Sequence, residues 1–174
     1  MNKKKIIYLI HIFVLTAFIS CGGTADHLEE GSPAPLFTLK DHKGNTFSLS
    51  DYNGKNVVVL FFYPKASTPG CTKQACGIRD ASSEFEKNNV VVFGISVDSP
   101  DAIAEFAKDN NLEFPLLSDE DKAVSQLYGV LNDIGFSNRI SFVIDKNSDI
   151  VHIMRDVQVS FHAEEILDIA KKFN

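Results

Sequence analysis

The chain has 174 residues, of which 44% are hydrophobic, and this is enough apolar material for the core of one ordinary domain. Its formal net charge of -6 at pH 7 argues against nucleic acid as a partner, because phosphates require a basic surface. Its three cysteines are too few for a disulfide-stapled scaffold or a four-ligand zinc site, so a redox pair is the economical interpretation.

The first 20 residues have the pattern of an export leader, with lysines at positions 3–5 before the apolar run Ile6–Ser20, which contains no acidic residue. Since a small serine precedes Cys21, the segment resembles a bacterial lipoprotein signal, in which the cysteine is lipidated after cleavage. A cleaved secretory signal and an uncleaved membrane anchor are the alternatives, although 15 apolar residues fall short of the ~20 that span a bilayer. We expect residues 1–20 to be a signal peptide, Cys21 to be lipidated, and the exported protein to be held by this lipid at the periplasmic or cell-envelope face of a membrane.

Residues 21–35 are rich in glycine, proline and acidic side chains, which predicts a tether and entry loop before a domain over residues 36–174. Apolar and polar residues alternate in Leu36–Leu39 and Thr46–Leu49 on either side of a turn. This pattern predicts a β-hairpin that caps one end of the fold.

Two continuous runs of β-branched and aromatic residues, Val57–Tyr63 and Val90–Val97, are typical of strands covered on both faces. Between them, Pro64–Gly70 is rich in turn residues. Apolar residues then recur at helical spacing, which predicts a helix from Cys71 to the stop signal at Asn88.

The second half of the domain repeats this alternation. A helix is predicted to start at Ser99-Pro100, and Ser118 is predicted to cap a small helix after an extended segment. Ile140–Asp145 and Ile150–Arg155 form a predicted hairpin, and Ile166–Phe173 a final amphipathic helix. The order of elements predicts an α/β protein with a central mixed sheet and flanking helices, a thioredoxin-like fold extended by the N-terminal β-hairpin.

The segment before the first predicted helix carries the chemistry. Cys71 heads this helix, where partial positive charge and free N–H groups favour the thiolate that attacks peroxide bonds. The pattern P-x-x-x-T-x-x-C also supplies Thr68, whose hydroxyl can bond to a thiolate and a peroxide oxygen. Pro64 lacks an N–H and can shield the site from water.

The segment Phe62–Cys76, FYPKASTPGCTKQAC, closely resembles the bacterioferritin-comigratory, or Q-type, branch of the peroxiredoxin superfamily. Gly94–Ser99, GISVDS, is similar to a second segment of that branch, and the resemblance extends over about residues 31–174. It implies an atypical 2-Cys thiol peroxidase for antioxidant defence, which reduces hydrogen peroxide and organic hydroperoxides and is re-reduced by a thioredoxin-like donor. With it we expect a monomer that needs no metal or other cofactor.

The resemblance also implies the roles of the site residues. Cys71 is the peroxidatic cysteine and Cys76 the resolving one, so that Cys71-Cys76 becomes an intramolecular disulfide, while Pro64 and Thr68 border the sulfur. Arg139, which precedes a late strand, matches the family arginine that holds thiolate and peroxide by charge-assisted bonds. The other two arginines of the chain, at positions 79 and 155, are the alternatives for this role.

The spacing of the two cysteines has a consequence of its own. Five residues along a helix advance ~7.5 Å and turn ~140°, whereas a disulfide requires Cα atoms within ~7 Å and converging Cβ vectors. Cys71 and Cys76 therefore cannot bond while the helix is intact, and oxidation is predicted to open its first turns.

Other interpretations of the cysteine pair are weaker. A thiol-disulfide oxidoreductase would carry C-x-x-C and a copper-delivery protein C-x-x-x-C with a distant histidine, whereas this chain has C-x-x-x-x-C. A tethered, non-catalytic binding lipoprotein with a degenerate site is the remaining alternative.

The histidines outside the leader are predicted to lie on the surface, namely His27, His42, His152 and His162.

Overall fold

A computed structural model describes residues 28–174. The predicted leader, Cys21, His27 and the first part of the predicted tether lie outside the described residues. Within residues 28–174, no helix is both long enough and apolar enough to cross a membrane.

A seven-stranded sheet forms the centre of the molecule, in the order β2-β1-β5-β4-β3-β6-β7. Strand β3 pairs in parallel with β4 and antiparallel with β6, so the sheet is mixed, as predicted. The strands are β1 (Thr38–Asp41), β2 (Thr46–Ser48), β3 (Val57–Phe62), β4 (Val90–Ser96), β5 (Leu116–Ser118), β6 (Ile140–Ile144) and β7 (Ile150–Met154).

The N-terminal hairpin is present, but it does not cap an end of the fold. Its strand β1 pairs antiparallel with β5, with Lys40 opposite Ser118, so the hairpin extends the sheet at one edge. The expected capping position was wrong because β5 leaves an unpaired edge, which a neighbouring strand covers most directly by backbone hydrogen bonds.

The described part of the predicted tether packs on the domain. Gly31 N donates to Ile150 O at 2.7 Å, and Ala34 N donates to Ser148 O at 2.8 Å. Arg155 Nη2 also donates to Leu28 O at 3.0 Å. Residues 28–35 are thus hydrogen-bonded to β7 and to the chain on either side of it.

Within the described residues, five α-helices flank the sheet, together with 3-10 turns at Leu49–Tyr52 and Lys171–Phe173. The α-helices are α1 (Pro69–Asp80), α2 (Ser82–Lys87), α3 (Pro100–Asp109), α4 (Ala123–Leu127) and α5 (His162–Ala170). The single helix predicted from Cys71 to Asn88 is therefore two helices, interrupted at Ala81. The first begins two residues earlier than predicted, because Pro69 has no N–H to satisfy and suits a first turn.

The predicted cap of the small helix was also wrong. Ser118 lies in β5, and its hydroxyl donates to Asp98 O at 2.7 Å. Asp119 does the capping instead, since its carboxylate accepts from Val124 N at 3.0 Å and Ser125 N at 2.6 Å. A carboxylate with two oxygens can accept both bonds, which one hydroxyl cannot do as readily.

The sheet separates two hydrophobic cores, and alternate residues of β3 face each. Val57, Val59 and Phe61 belong to the core that contains Cys71, whereas Val58, Leu60 and Phe62 belong to the other. Burying each such side chain contributes about 1.5–3 kcal/mol. The two-sided burial predicted for this run is confirmed, and it gives α1 and α5 a fixed base on the Cys71 side.

Candidate active site around Cys71

Cys71 lies in the first turn of α1 with its side chain almost fully covered. Thr68 is the N-cap residue in extended conformation, Pro69 is the first helical residue, and Cys71 is 1% exposed. The helix therefore directs its positive end at the region of the sulfur. Both described cysteines are free thiols.

Arg139 reaches this sulfur because of the sheet register. Phe62 at the end of β3 pairs with Ile140 at the start of β6, and the two strands run antiparallel. The loop that leaves β3 toward α1 therefore lies next to residue 139. Arg139 Nη2 donates to Cys71 Sγ at 3.3 Å, a charge-assisted contact. A Cβ added at Gly70 would stand 3.3 Å from the same nitrogen, so the glycine leaves room for the guanidinium.

The other two arginines are engaged elsewhere. Arg79 donates to its neighbour Asp80 and, through Nη1 at 2.7 Å, to Asn110 O. Arg155 donates to Leu28 O. Among the residues that the structure describes, Arg139 is the arginine whose guanidinium contacts the Cys71 sulfur.

Thr68 and Pro64 belong to the loop that leads into α1. Thr68 Oγ1 donates to Lys65 O at 2.9 Å, so the oxygen keeps its lone pairs to accept a hydrogen bond. The same loop is tied down where Ala66 N donates to Asp98 Oδ2 at 2.8 Å. Pro64 is half-buried and lies two residues after the end of β3. The loop that leads into α1 is thus held in place, and the Thr68 hydroxyl can accept a hydrogen bond from a ligand.

Cys76 lies in the same uninterrupted helix as Cys71. It is half-buried, and its sulfur approaches Asn110 Oδ1 at 4.0 Å. The five-residue offset therefore holds in the reduced protein, with ~7.5 Å of axial separation and ~140° of rotation between the two positions.

A buried polar network, which the sequence did not predict, joins Arg139 to α5. Arg139 Nη1 donates to Gln74 Oε1, Gln74 Nε2 lies 3.2 Å from His162 Nδ1, and His162 Nε2 lies 2.9 Å from Ser141 Oγ. Gln74 is 1% exposed, and His162 and Ser141 are fully buried. Burial, assisted by the charge of Arg139, lowers the pKa of His162 to about 4. The imidazole is therefore neutral near pH 7.

The prediction that His162 lies on the surface was wrong, and helical periodicity carried the missing signal. His162, Ile166 and Ala170 recur every four residues and form the buried face of α5. Gln74 follows the same logic in α1, where it shares the buried face with Cys71 and Ile78. Of the other histidines predicted to be exposed, His42 and His152 are partly exposed.

The residues available for a metal site are scattered. In the part of the chain that the structure describes, no group of three or more histidine, cysteine, aspartate or glutamate side chains could hold a metal ion. The described site contains a buried thiol, a guanidinium beside it and a hydroxyl in the adjoining loop.

Comparison with known proteins gives consistent matches. Residues 31–153 match the model of the AhpC/TSA family. The chain is 43% identical over 152 residues to peroxiredoxin Bcp of Escherichia coli K12, covering 83% of this chain and 97% of that protein. The crystal structure of peroxidoxin BcpB from Mycobacterium tuberculosis has a TM-score of 0.79 at 33% identity, over 85% of this chain and 99% of that one. A structure of Xanthomonas campestris bacterioferritin comigratory protein, studied for its alkyl peroxide reduction activity, has a TM-score of 0.75 at 27% identity, over 80% and 96% of the two chains.

Proposed function

This chain belongs to the AhpC/TSA family, among the Bcp-type peroxiredoxins, and from this premise of thiol-dependent peroxide reduction we propose that Cys71 is the thiol that reduces the hydroperoxide. The observation that carries the proposal is the 3.3 Å contact from Arg139 Nη2 to Cys71 Sγ at the start of α1. A guanidinium and a helix N-terminus at one buried sulfur place positive charge where the attacking sulfur and the developing negative charge of peroxide cleavage would lie.

In the first step, the Cys71 thiolate attacks one peroxide oxygen. An S–O bond forms, the O–O bond breaks, and the other oxygen leaves as an alkoxide or hydroxide that takes up a proton. Negative charge moves from sulfur to the leaving oxygen, and Arg139 lies where it can stabilise this charge. Thr68 Oγ1 can accept a hydrogen bond from the peroxide hydroxyl, because its own proton is committed to Lys65 O.

In the second step, Cys76 resolves the sulfenic acid. The Cys76 sulfur attacks the Cys71 sulfur, an S–S bond forms, and the S–O bond breaks with release of water. Because both residues lie in the continuous helix α1, its first turns must unwind before the sulfurs can meet. Because Cys76 is already half-buried, only local opening of α1 is needed to free its sulfur.

A dithiol donor then completes the cycle by passing two electrons to the Cys71-Cys76 disulfide. We propose a thioredoxin-like protein for this role, since exchange through a mixed disulfide requires an exposed sulfur, and opening of α1 supplies one. The substrates proposed are hydrogen peroxide and organic hydroperoxides, in keeping with the alkyl peroxide reduction activity attributed to the Xanthomonas campestris relative.

Peroxide consumption with dithiothreitol, and then with a thioredoxin-like donor, tests this function. The wild-type protein is expected to turn over with either reductant, Cys71→Ser to be inactive, and Cys76→Ser to undergo one oxidation and then stall or over-oxidise. Full turnover by Cys71→Ser would contradict the assignment.

We further propose that the protein works in the cell envelope, anchored by lipid on Cys21. The support is the basic, apolar and Cys21-terminated leader in the sequence. Mass spectrometry of the mature N-terminus is expected to find an acylated Cys21, and Cys21→Ala is expected to release the protein from the detergent phase. A mature chain that starts at Met1 without lipid would favour an uncleaved anchor instead.

A further inference from the structure

Three buried polar side chains connect Arg139 to the beginning of α5. Gln74 comes from α1, Ser141 from β6 and His162 from α5, so the network crosses three elements that are far apart in sequence. At one end it contacts the guanidinium that touches Cys71, and at the other it ends on a hydroxyl in the sheet. Buried polar groups of this kind are costly unless each finds a partner.

The hydrogen bonds of this network can run in only one direction. A guanidinium has donors and no acceptor, so the amide of Gln74 must turn its oxygen toward Arg139. The amide nitrogen then donates to His162 Nδ1, which must carry no proton. A neutral imidazole consequently has its proton on Nε2, from which it donates to Ser141 Oγ.

We propose that His162 is a positioning residue for the peroxide reaction, which in its neutral Nε2–H form fixes the Gln74 amide and thereby holds the Arg139 guanidinium against Cys71. The proposal rests on the proposed function, because the position of Arg139 matters for catalysis only if Cys71 is the reacting thiol. His162 acts through Gln74 and Arg139 and does not touch the sulfur itself in the described contacts.

Protonation of His162 would reverse this arrangement. With protons on both ring nitrogens, the Nδ1–H of the imidazolium would face the NH₂ group of Gln74, which is also a donor. To remove this clash of two donors, the amide must turn its oxygen toward the ring and its NH₂ group toward Arg139. The described partners of the ring are uncharged, namely Gln74 from α1, Ser141 from β6 and Phe61 from β3, and Arg139 is the nearby charge that acts on it. The acidic residues of the first turn of α5, Glu164 and Glu165, are exposed. Burial and Arg139 thus both favour the neutral ring.

The proton position can be measured without any activity assay. In full-length ¹⁵N-labelled protein, the ring nitrogen shifts are expected to show His162 with a bare Nδ1 and a protonated Nε2. In Gln74→Glu, the carboxylate still accepts from Arg139 but cannot donate to the ring, so Nδ1 is expected to gain a proton. A proton on Nδ1 in the wild type, or an identical ring in both proteins, would overturn the proposal. This result is independent of whether Cys71 proves to be the peroxidatic residue.

Kinetics test whether the ring acts through Arg139. His162→Phe keeps an aromatic ring next to Phe61 but removes both nitrogens, and we expect the second-order rate constant with peroxide to fall between about 10-fold and 100-fold through misplacement of the guanidinium. His162→Gln, which can both accept and donate, is expected to recover part of the rate. The matched control is His152→Phe, since His152 pairs with Glu30 at 2.9 Å, and its rate constant should not change.

A double-mutant cycle separates positioning from a purely structural role. If His162 acts through Arg139, then Arg139→Ala combined with His162→Phe is expected to be no slower than Arg139→Ala alone. Independent, multiplicative losses would overturn the proposal. If His162→Phe does not fold, the proton position in Gln74→Glu still decides the question.

Discussion

Two of the buried polar clusters among the described residues differ in what they are connected to. One consists of Asp119, Ser125 and Ser137, in which the carboxylate accepts from two backbone N–H groups and from Ser125 Oγ at 2.6 Å. The other runs from Ser141 through His162 and Gln74 to Arg139. The first closes on its own loop and helix, whereas the second ends at the Cys71 sulfur. Burial alone therefore does not identify a functional network. A network that ends at a reactive atom is the better indication of function.

The largest effect expected from this difference is kinetic. Arg139→Ala removes the contact to the sulfur and should slow the reaction with peroxide by about 10-fold to 1,000-fold, since a stabilising charge in the transition state is lost. The domain should remain folded. Stopped-flow rate constants check this, with Arg155→Ala as the control, because Arg155 bonds only to Leu28 O among the described side-chain contacts. An unchanged rate constant for Arg139→Ala would assign the role to another group.

Oxidation should also affect the two clusters differently, as amide hydrogen exchange would show. Formation of the Cys71-Cys76 disulfide requires α1 to open, so amide exchange should rise by about 10-fold or more across Pro69–Arg79. Strands β3 and β4 should stay protected, as should the amides of Val124 and Ser125 that Asp119 holds. Hydrogen exchange on the reduced and oxidised forms measures this. A helix equally protected in both would mean that Cys76 does not resolve Cys71.

The cluster around Asp119 should affect the stability of the fold and not the rate of the reaction with peroxide. Asp119→Ala leaves two backbone N–H groups and a buried hydroxyl without their acceptor, which should lower the free energy of unfolding by about 2–4 kcal/mol. Denaturant titration measures this loss. The rate constant of the folded variant with peroxide should stay within about 2-fold of wild type, because Val124, whose N–H Asp119 accepts, packs in the core on the side of the sheet opposite to Cys71. A large kinetic defect in a folded Asp119→Ala protein would remove the distinction between the clusters.

The two clusters should also respond to acid in opposite directions. The pKa of His162 is about 4 in the folded protein against 6.5 ordinarily, so its contribution to stability is complete above pH 6.5 and is lost as the pH falls toward 4. This loss reaches about 3 kcal/mol near pH 4. Burial raises the pKa of Asp119, so protonation of that carboxyl favours the folded state as the pH falls.

Unfolding free energies measured between pH 7 and pH 4 on wild type and on His162→Gln test the contribution of the imidazole. The variant should lose the part of the pH dependence that belongs to the ring. Parallel curves for the two proteins would show that His162 is not the group responsible.

The smallest effect is expected from Gly70→Ala. The added Cβ would stand 3.3 Å from Arg139 Nη2, tighter than an ordinary contact, and should displace the guanidinium enough to slow the reaction by about 2-fold to 5-fold. Gly77→Ala in the same helix is the matched control, because its Cβ would meet Ala163 Cβ at an ordinary 3.8 Å. Equal rate constants for both variants would show that the position of Arg139 tolerates this crowding.

Much of the fold was predictable from the sequence because its signals are local. The runs in β3 and β4 are apolar on both faces, and the pair Ser99-Pro100 suits a helix start. The thioredoxin-like order of elements followed from these signals and is confirmed by the sheet topology. Arg139 was identified through the resemblance to the family arginine that precedes a late strand, and it lies directly before β6.

The parts that sequence reasoning missed depend on contacts between distant elements. His162 appeared to be one of several scattered histidines, and its partners Gln74 and Ser141 are 88 and 21 residues away. Asp119 was overlooked because Ser118 is also a good helix cap. Only the structure shows that Ser118 lies in β5, which leaves Asp119 to accept hydrogen bonds from the N–H groups of α4. Helical periodicity could have indicated that His162 is buried, but it does not pair residues across such distances.

The central claim is that the sulfur of Cys71 attacks and cleaves the peroxide. Trapping the first product, the Cys71 sulfenic acid, tests this claim most directly. Cys76→Ser protein treated with one equivalent of hydrogen peroxide and then with a sulfenic acid probe is expected, in peptide mass spectrometry, to carry the probe on Cys71, where it has replaced the hydroxyl of the sulfenic acid. Consumption of the peroxide with Cys71 left unmodified would contradict the claim.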